Sequence, residues 1–141
     1  MNSRRKVEFA VRQRAADRCE YCRMHQSLQG ASFHLEHVVP RSRGGTSELE
    51  NLAWACPGCN LHKADRVEAI DPETSVAALL FNPRSQPWTV HFRWNDFEVV
   101  GLTATGRATV AILRLNSPRR ILIRQVETAF GLFMPTGDYS P

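Results

Sequence analysis

Val7, Val11 and Ala15 recur at i, i+4 and i+8, with Arg4, Arg5, Arg12, Arg14 and Arg18 on the other faces. That period predicts an amphipathic helix over 4–18 whose apolar phase runs into Cys19. Phe33-His34-Leu35-Glu36-His37-Val38-Val39-Pro40 is β-branched and aromatic enough for a strand, which Pro40 ends. In strict alternation His34 and Glu36 share one face of it and His37 takes the other. Gly44-Gly45 marks a tight loop, Leu52-Ala53-Trp54-Ala55 returns as a second strand, and Asn60 to Arg66 follows as a short helix.

Beyond residue 66 the pattern continues. Asp71-Pro72 predicts a helix start, with Asp71 as N-cap. Trp88, Val90, Phe92 and Trp94 alternate with Thr89, His91 and Arg93, which predicts a half-buried strand, and Asn95-Asp96 turns it into a partner from Phe97 to Leu102. Ala108, Ala111, Ile112 and Leu115 show helical spacing. Ser117-Pro118 opens a last helix with the stripe Leu122, Val126, Ala129, Phe130 and Phe133, and a loose tail is expected after Pro135. Repeats and low-complexity linkers are absent from the sequence. The expectation is an α+β chain with a core over 1–70 and an α/β extension over 71–141 packed on it.

The chain has 141 residues, 43% hydrophobic and 23% charged, ordinary values for a folded chain that argue against disorder. Its longest clean apolar run, Val76 to Phe81, is far short of the ~20 residues that span a bilayer. Met1 to Lys6 has the charge of a secretion signal without an apolar core behind it, so a cytoplasmic protein with reduced thiols is expected. The net charge of +4 is unevenly spread: +4 over residues 1–25, −3 over 26–75 and +3 over 76–141. Basic flanks around an acidic middle suit a protein that grips polyanions at its edges and holds cations at its centre. Sixteen of the eighteen basic residues are Arg, which suits bidentate phosphate contacts, although a GC-rich genome produces the same bias.

All four cysteines fall in two Cys-x-x-Cys pairs, Cys19/Cys22 and Cys56/Cys59. Each pair can put two thiolates on one turn, and two such knuckles complete a closed tetrahedral zinc site. Disulfides are the competing reading, disfavoured in a reducing compartment. The 33 residues between the pairs exceed the about 15–20 of a compact zinc ribbon, so a folded insertion must lie between the knuckles. In the second knuckle Gly58 is expected to supply a positive φ.

Glu36-His37-Val38-Val39-Pro40, Gly44-Gly45, Glu50-Asn51-Leu52 and Cys56-x-x-Cys59-Asn60-x-x-Lys63 together resemble the HNH endonuclease family, the His-Me finger or ββα-metal nucleases, over roughly residues 19 to 66. The resemblance implies a ββα-metal core and metal-dependent hydrolysis of DNA phosphodiester bonds, leaving 5′-phosphate and 3′-hydroxyl ends. It aligns His37 with the general base, Glu36 and Asn60 with the ligands of a catalytic Mg²⁺ or Mn²⁺, and Asn51 with the residue that orders the loop and the base. His62 is an alternative ligand to Asn60. The chemistry agrees: imidazole takes a proton near neutral pH, and carboxylate and amide oxygens suit a hard cation. Glu36 stands where Asp is commoner in the family, and it converges with His37 on one phosphate only if the strand bends.

Other residues carry two readings each. Arg41 and Arg43 flank the glycine turn and either track a nucleic-acid backbone or are solvated. Lys63 is either a phosphate contact or a surface lysine. His34, and His91 with Arg93, read as structural. Leu80-Phe81-Asn82-Pro83-Arg84, Trp88, His91-Phe92-Arg93-Trp94 and Gly101-Leu102-Thr103 resemble the extension of small stand-alone bacterial HNH proteins. The expected partner is DNA, with a homodimer if both strands are cut and no membrane. The rival reading is a non-catalytic zinc-stapled module that binds nucleic acid or a protein; it would not need Glu36, His37, Asn51 and Asn60 together.

Overall fold

The computed structural model describes residues 2–133; the tail expected after Pro135 lies outside them. Among the described residues five α-helices and three two-stranded antiparallel hairpins make an α+β fold. Helix α1 (Ser3–Arg14) begins where the Asn2 side chain accepts from the Arg5 N–H at 2.9 Å, satisfying one of the unpaired donors of the first turn. It buries Val11, with Ala15 behind it and Val7 half-buried, along the expected stripe.

Strand β1 (His34–His37) pairs with β2 (Leu52–Ala55), Glu36 opposite Ala53 and His37 opposite Leu52. Helix α2 (Pro57–Lys63) follows at once. Cys56 is its N-cap, its Sγ accepting from the Cys59 N–H at 3.4 Å, and Pro57 stands in the first turn, where its missing N–H costs nothing. This is the expected ββα unit. A second hairpin, β3 (Glu68–Ile70) with β4 (Ala77–Leu79), straddles residue 70, where the first unit was expected to end.

Three sequence expectations are corrected in the second half. Asp71-Pro72 opens a turn, not a helix: Asp71 carboxylate oxygens accept from the Glu73 N–H and the Thr74 hydroxyl, both at 3.0 Å, and the Asp71 N–H bonds the Val76 carbonyl. A side chain that satisfies the backbone two residues on favours a turn over a helix. Trp88 to Trp94 is not one strand: Trp88–His91 forms a single turn, α3, and β5 (Phe92–Asn95) then pairs with β6 (Glu98–Gly101). Trp88 stacks on Phe92 from one helical turn away, centroids 5.0 Å apart, while its indole N–H donates to the Tyr21 carbonyl at 3.0 Å.

The last helix also departs from its expected face. Helix α4 (Ala104–Ile112) is capped by Thr103 and packs so closely that a Cβ on Gly106 would lie 2.1 Å from the His91 carbonyl. Helix α5 (Pro118–Ala129) then buries Arg120, Arg124 and Glu127, while Leu122, Val126 and Phe130 of the expected stripe face outward. The buried charges have partners that local periodicity does not register. Arg124 donates to the Phe97 and Leu115 carbonyls at 2.8 and 2.6 Å, and Glu127 accepts from the His25 N–H at 2.9 Å. Buried ionic groups persist only when so satisfied.

One apolar cluster joins Val11, Tyr21 and Trp54 of the first half to Phe81, Phe92 and Leu113 of the second. Burying side chains of this size contributes roughly 1.5–3 kcal/mol each. No helix among the described residues is long and apolar enough to cross a membrane.

Candidate functional site

The sulfurs of Cys19, Cys22, Cys56 and Cys59 lie within 4.8 Å of one another, all buried, with Cys22 and Cys56 3.8 Å apart. Four thiolates about 2.3 Å from a tetrahedral zinc ion stand about 3.8 Å from each other, so the cluster can hold zinc, and its cysteines are free of disulfides. Burial foremost pushes the Cys19 and Cys59 thiols well above their ordinary values, while at Cys22 burial is outweighed by hydrogen bonds with the neighbouring cysteines, which hold it well below its own. The cluster thus favours one thiolate, and a central cation would favour the others. Arg120 donates to Cys59 Sγ at 3.1 Å. Gly58 does not have the positive φ expected of it; a Cβ there would lie 2.4 Å from Arg120 Nη2. Its role is to admit the guanidinium.

The ββα unit disposes the other candidate residues on two faces. β1 keeps its register without a bend, so Glu36 and His37 leave it in opposite directions. His37 faces a cavity of about 330 Å³ lined by Ser3, Arg4, Leu35, Arg41 and Ser47. Its Nε2 is 3.0 Å from Ser47 Oγ and accepts from Arg41 Nε at 3.3 Å, while Arg41 Nη2 donates to the same Ser47 oxygen at 2.9 Å. Burial first, then the charges of Arg41 and Lys63, hold the imidazole below its ordinary pKa, which keeps it neutral with a ring nitrogen unprotonated, at the cost of some basicity.

Asn51 ties the intervening loop to the end of β1. Its Oδ1 accepts from the Val39 N–H at 2.9 Å, and its Nδ2 donates to the Val39 and Thr46 carbonyls at 3.0 and 2.7 Å. The loop packs so tightly there that a Cβ on Gly45 would lie 1.7 Å from the Val39 carbonyl oxygen. Arg43 donates to the Asp65 carbonyl at 2.8 Å, joining the loop to the segment after α2.

On the opposite face Glu36 is 4% exposed, its Oε2 accepting from the Tyr21 hydroxyl at 2.6 Å and its Oε1 2.6 Å from Lys63 Nζ. Burial raises its pKa, with Lys63 and Tyr21 opposing. Lys63, at 2% exposure, also donates to the Val38 and His37 carbonyls at 2.9 and 3.3 Å. Neither reading made from its sequence position, phosphate contact or surface lysine, describes this buried ion pair. Removing one member of such a pair costs about 3–5 kcal/mol, because the other is left buried and uncompensated. Asn60 sits half-buried one turn before Lys63 on α2. His62 instead lines a separate cavity with Gly58, Ser117, Arg119 and Arg120, and burial followed by Arg114 and Arg120 lowers its pKa. His34 is exposed at the start of β1, and His91 bonds the capping Thr103 at 2.6 Å.

The two faces of one hairpin, stapled by the cysteine cluster, therefore carry a histidine in a cationic cavity and a buried carboxylate. Residues 19–66 match the HNH endonuclease family model. The match covers about a third of the chain, from the first knuckle past the end of α2. No curated protein and no solved structure matches the chain.

Several residues that complete the HNH segment were not legible in the sequence. Ser47 reaches His37 across ten residues of loop with no local pattern to mark it. Tyr21 lies inside the first Cys-x-x-Cys, so its proximity to the knuckle was visible, but not its bond to Glu36. Arg4 and Arg120 lie outside the segment and reach it only through the packing of α1 and α5.

Proposed function

We propose that the protein is a metal-dependent DNA endonuclease that hydrolyses phosphodiester bonds with His37 as general base and the four cysteines holding a structural zinc ion. The observation that carries this reading is the environment of His37 within the HNH segment. Its Nε2 has a hydroxyl oxygen, Ser47 Oγ, at 3.0 Å, and a guanidinium contacts both groups. An attacking water needs the same relation to the imidazole.

On the other face Glu36 and Asn60 carry oxygen donors of the kind a hard divalent ion takes, but Glu36 is buried and both its oxygens are engaged. Glu36 Oε1 already holds a cation, the Lys63 ammonium, at 2.6 Å, and its oxygen chemistry suits Mg²⁺ or Mn²⁺. Glu36 and Asn60 would hold that ion. An ion held there would reach a phosphate at His37 and neutralise charge on it and on the leaving oxygen only if β1 bent to bring the two faces together. His37 takes the proton of water at Nε2, Arg41 adds positive charge to the cavity, and Asn51 keeps the loop between them in place.

A supercoiled plasmid incubated with Mg²⁺ or Mn²⁺ tests the reading. Replacing the base in His37→Ala should slow cleavage by about 10²-fold or more, and equal cutting by mutant and wild type would remove His37 from the mechanism. A monomer with one such site nicks; direct linearisation would support a homodimer. The commitment of both Glu36 oxygens to Tyr21 and Lys63 favours the alternative, a non-catalytic nucleic-acid-binding module, which predicts an intact plasmid with both proteins.

A further inference from the structure

Lys63 Nζ is surrounded by three oxygens: Glu36 Oε1 at 2.6 Å, the Val38 carbonyl at 2.9 Å and the His37 carbonyl at 3.3 Å. Two come from the backbone at the end of β1 and the third is the carboxylate assigned above to the divalent ion. This is a cation cradle filled by the chain's own ammonium. Glu36 Oε1 takes no hydrogen bond of regular geometry there, so the contact is held by charge. Two cations cannot share that oxygen, because like charges about 4 Å apart repel strongly in a buried site.

Lys63 also has somewhere to go. It lines a cavity of about 250 Å³ between the HNH segment and the extension, with Val38, Leu80, Asn82, Ser85 and Gln86 around it. Most of the lining is apolar, and its three polar residues, Asn82, Ser85 and Gln86, are the ones that can receive an ammonium. Its four-carbon stem is flexible and its head forms no fixed fork of bonds, unlike an arginine.

We propose that Lys63 competes with the divalent ion for Glu36 and so sets its affinity, and that loading the ion moves the ammonium into the cavity beside Asn82, Ser85 and Gln86. The inference rests on the assignment of Glu36 as a ligand. It also explains why the extension belongs with the HNH segment: residues 80–86 form the wall of the space that receives the lysine.

The chain has two lysines, Lys6 and Lys63, so zinc-loaded protein labelled with ¹³C at lysine Cε gives two resolvable NMR signals, assigned with Lys6→Arg. Titration with Mg²⁺ should move the Lys63 signal and leave Lys6 in place. In parallel, Mn²⁺ binding followed by the electron paramagnetic resonance of the free ion should be about tenfold tighter in Lys63→Met and lost in Glu36→Gln. Wild-type binding that leaves the Lys63 signal unmoved overturns the competition but spares Glu36 as ligand. Mn²⁺ binding unchanged in Glu36→Gln overturns the Glu36 assignment and the competition with it, as does absence of binding in both wild type and Lys63→Met. The labelled wild type decides the matter even where Lys63→Met does not fold.

Discussion

Arg120 of α5 donates from Nη1 to Cys59 Sγ at 3.1 Å, so a residue 61 positions along the chain completes the environment of the second knuckle. Arg120 is 7% exposed, and the glycine next to Cys59 leaves the space it fills. A zinc ion with four thiolates carries a net charge of about −2, and a buried guanidinium against one sulfur offsets part of it. The C-terminal helix thereby acts on a cluster whose four cysteines all lie within residues 19–66.

Arg120→Met should therefore loosen zinc. Partners that orient or neutralise metal ligands typically contribute about 10–100-fold in affinity. Zinc transfer to a colorimetric chelator should accelerate correspondingly, and Gly58→Ala should do the same by displacing the guanidinium. Transfer at the wild-type rate in Arg120→Met would show that the contact does not act on the ion.

If the cysteine cluster holds zinc, removing the ion should unfold the protein. All four cysteines belong to the cluster that includes Val11, Trp54 and Phe81, so vacating the centre leaves buried thiols without the cation that gathers them. Chelation is expected to abolish the near-ultraviolet circular dichroism of the tryptophans, with loss of helical signal in the same transition. A chelated protein that keeps its tertiary signal would contradict this.

Asn51→Ala removes three hydrogen bonds between the loop and the end of β1. At about 0.5–1.5 kcal/mol net for each, stability to urea should fall by about 1.5–4.5 kcal/mol. If cleavage depends on the loop that carries Ser47 and Arg41, plasmid nicking should fall with it, and more than in Arg43→Ala, whose contact lies at the far end of the loop.

Acid stability should depend on Asp71. Arg107 grips its carboxylate through Nε and Nη2 at 3.0 and 2.9 Å, and that bonding foremost lowers its pKa to about 2. A carboxylate depressed in the folded state stabilises above its unfolded value of about 3.9, and that contribution is lost as pH falls from there through about 2. Asp71→Asn should be less stable than wild type at neutral pH, and the difference should shrink across that window. An unchanging gap in melting temperature between pH 5 and pH 2 would assign the stabilisation elsewhere.

Legibility along the chain followed the range of the forces involved. The paired cysteines, the ββα order and the α1 stripe depend on spacing over a few residues, and they stood in the sequence as they stand in the structure. The face of α5 did not. Its periodicity points Leu122, Val126 and Phe130 inward, yet Arg120, Arg124 and Glu127 are buried because partners at Cys59, Phe97, Leu115 and His25 receive them. Trp88 misled for a related reason, since an aromatic at every second position also fits a helical turn running into a strand.

The α+β class, the paired cysteines and the HNH motif residues could be read along the chain, because each is written in residue types at short, regular separations. Folding in three dimensions set how those residues are engaged. It put Ser47 and Arg41 on His37, buried Lys63 against Glu36, turned His62 toward the arginines of the extension, and brought Arg120 to the cysteines. Charge pairing and hydrogen bonding act across a few ångströms of space whatever the distance along the chain, so no local period could announce them.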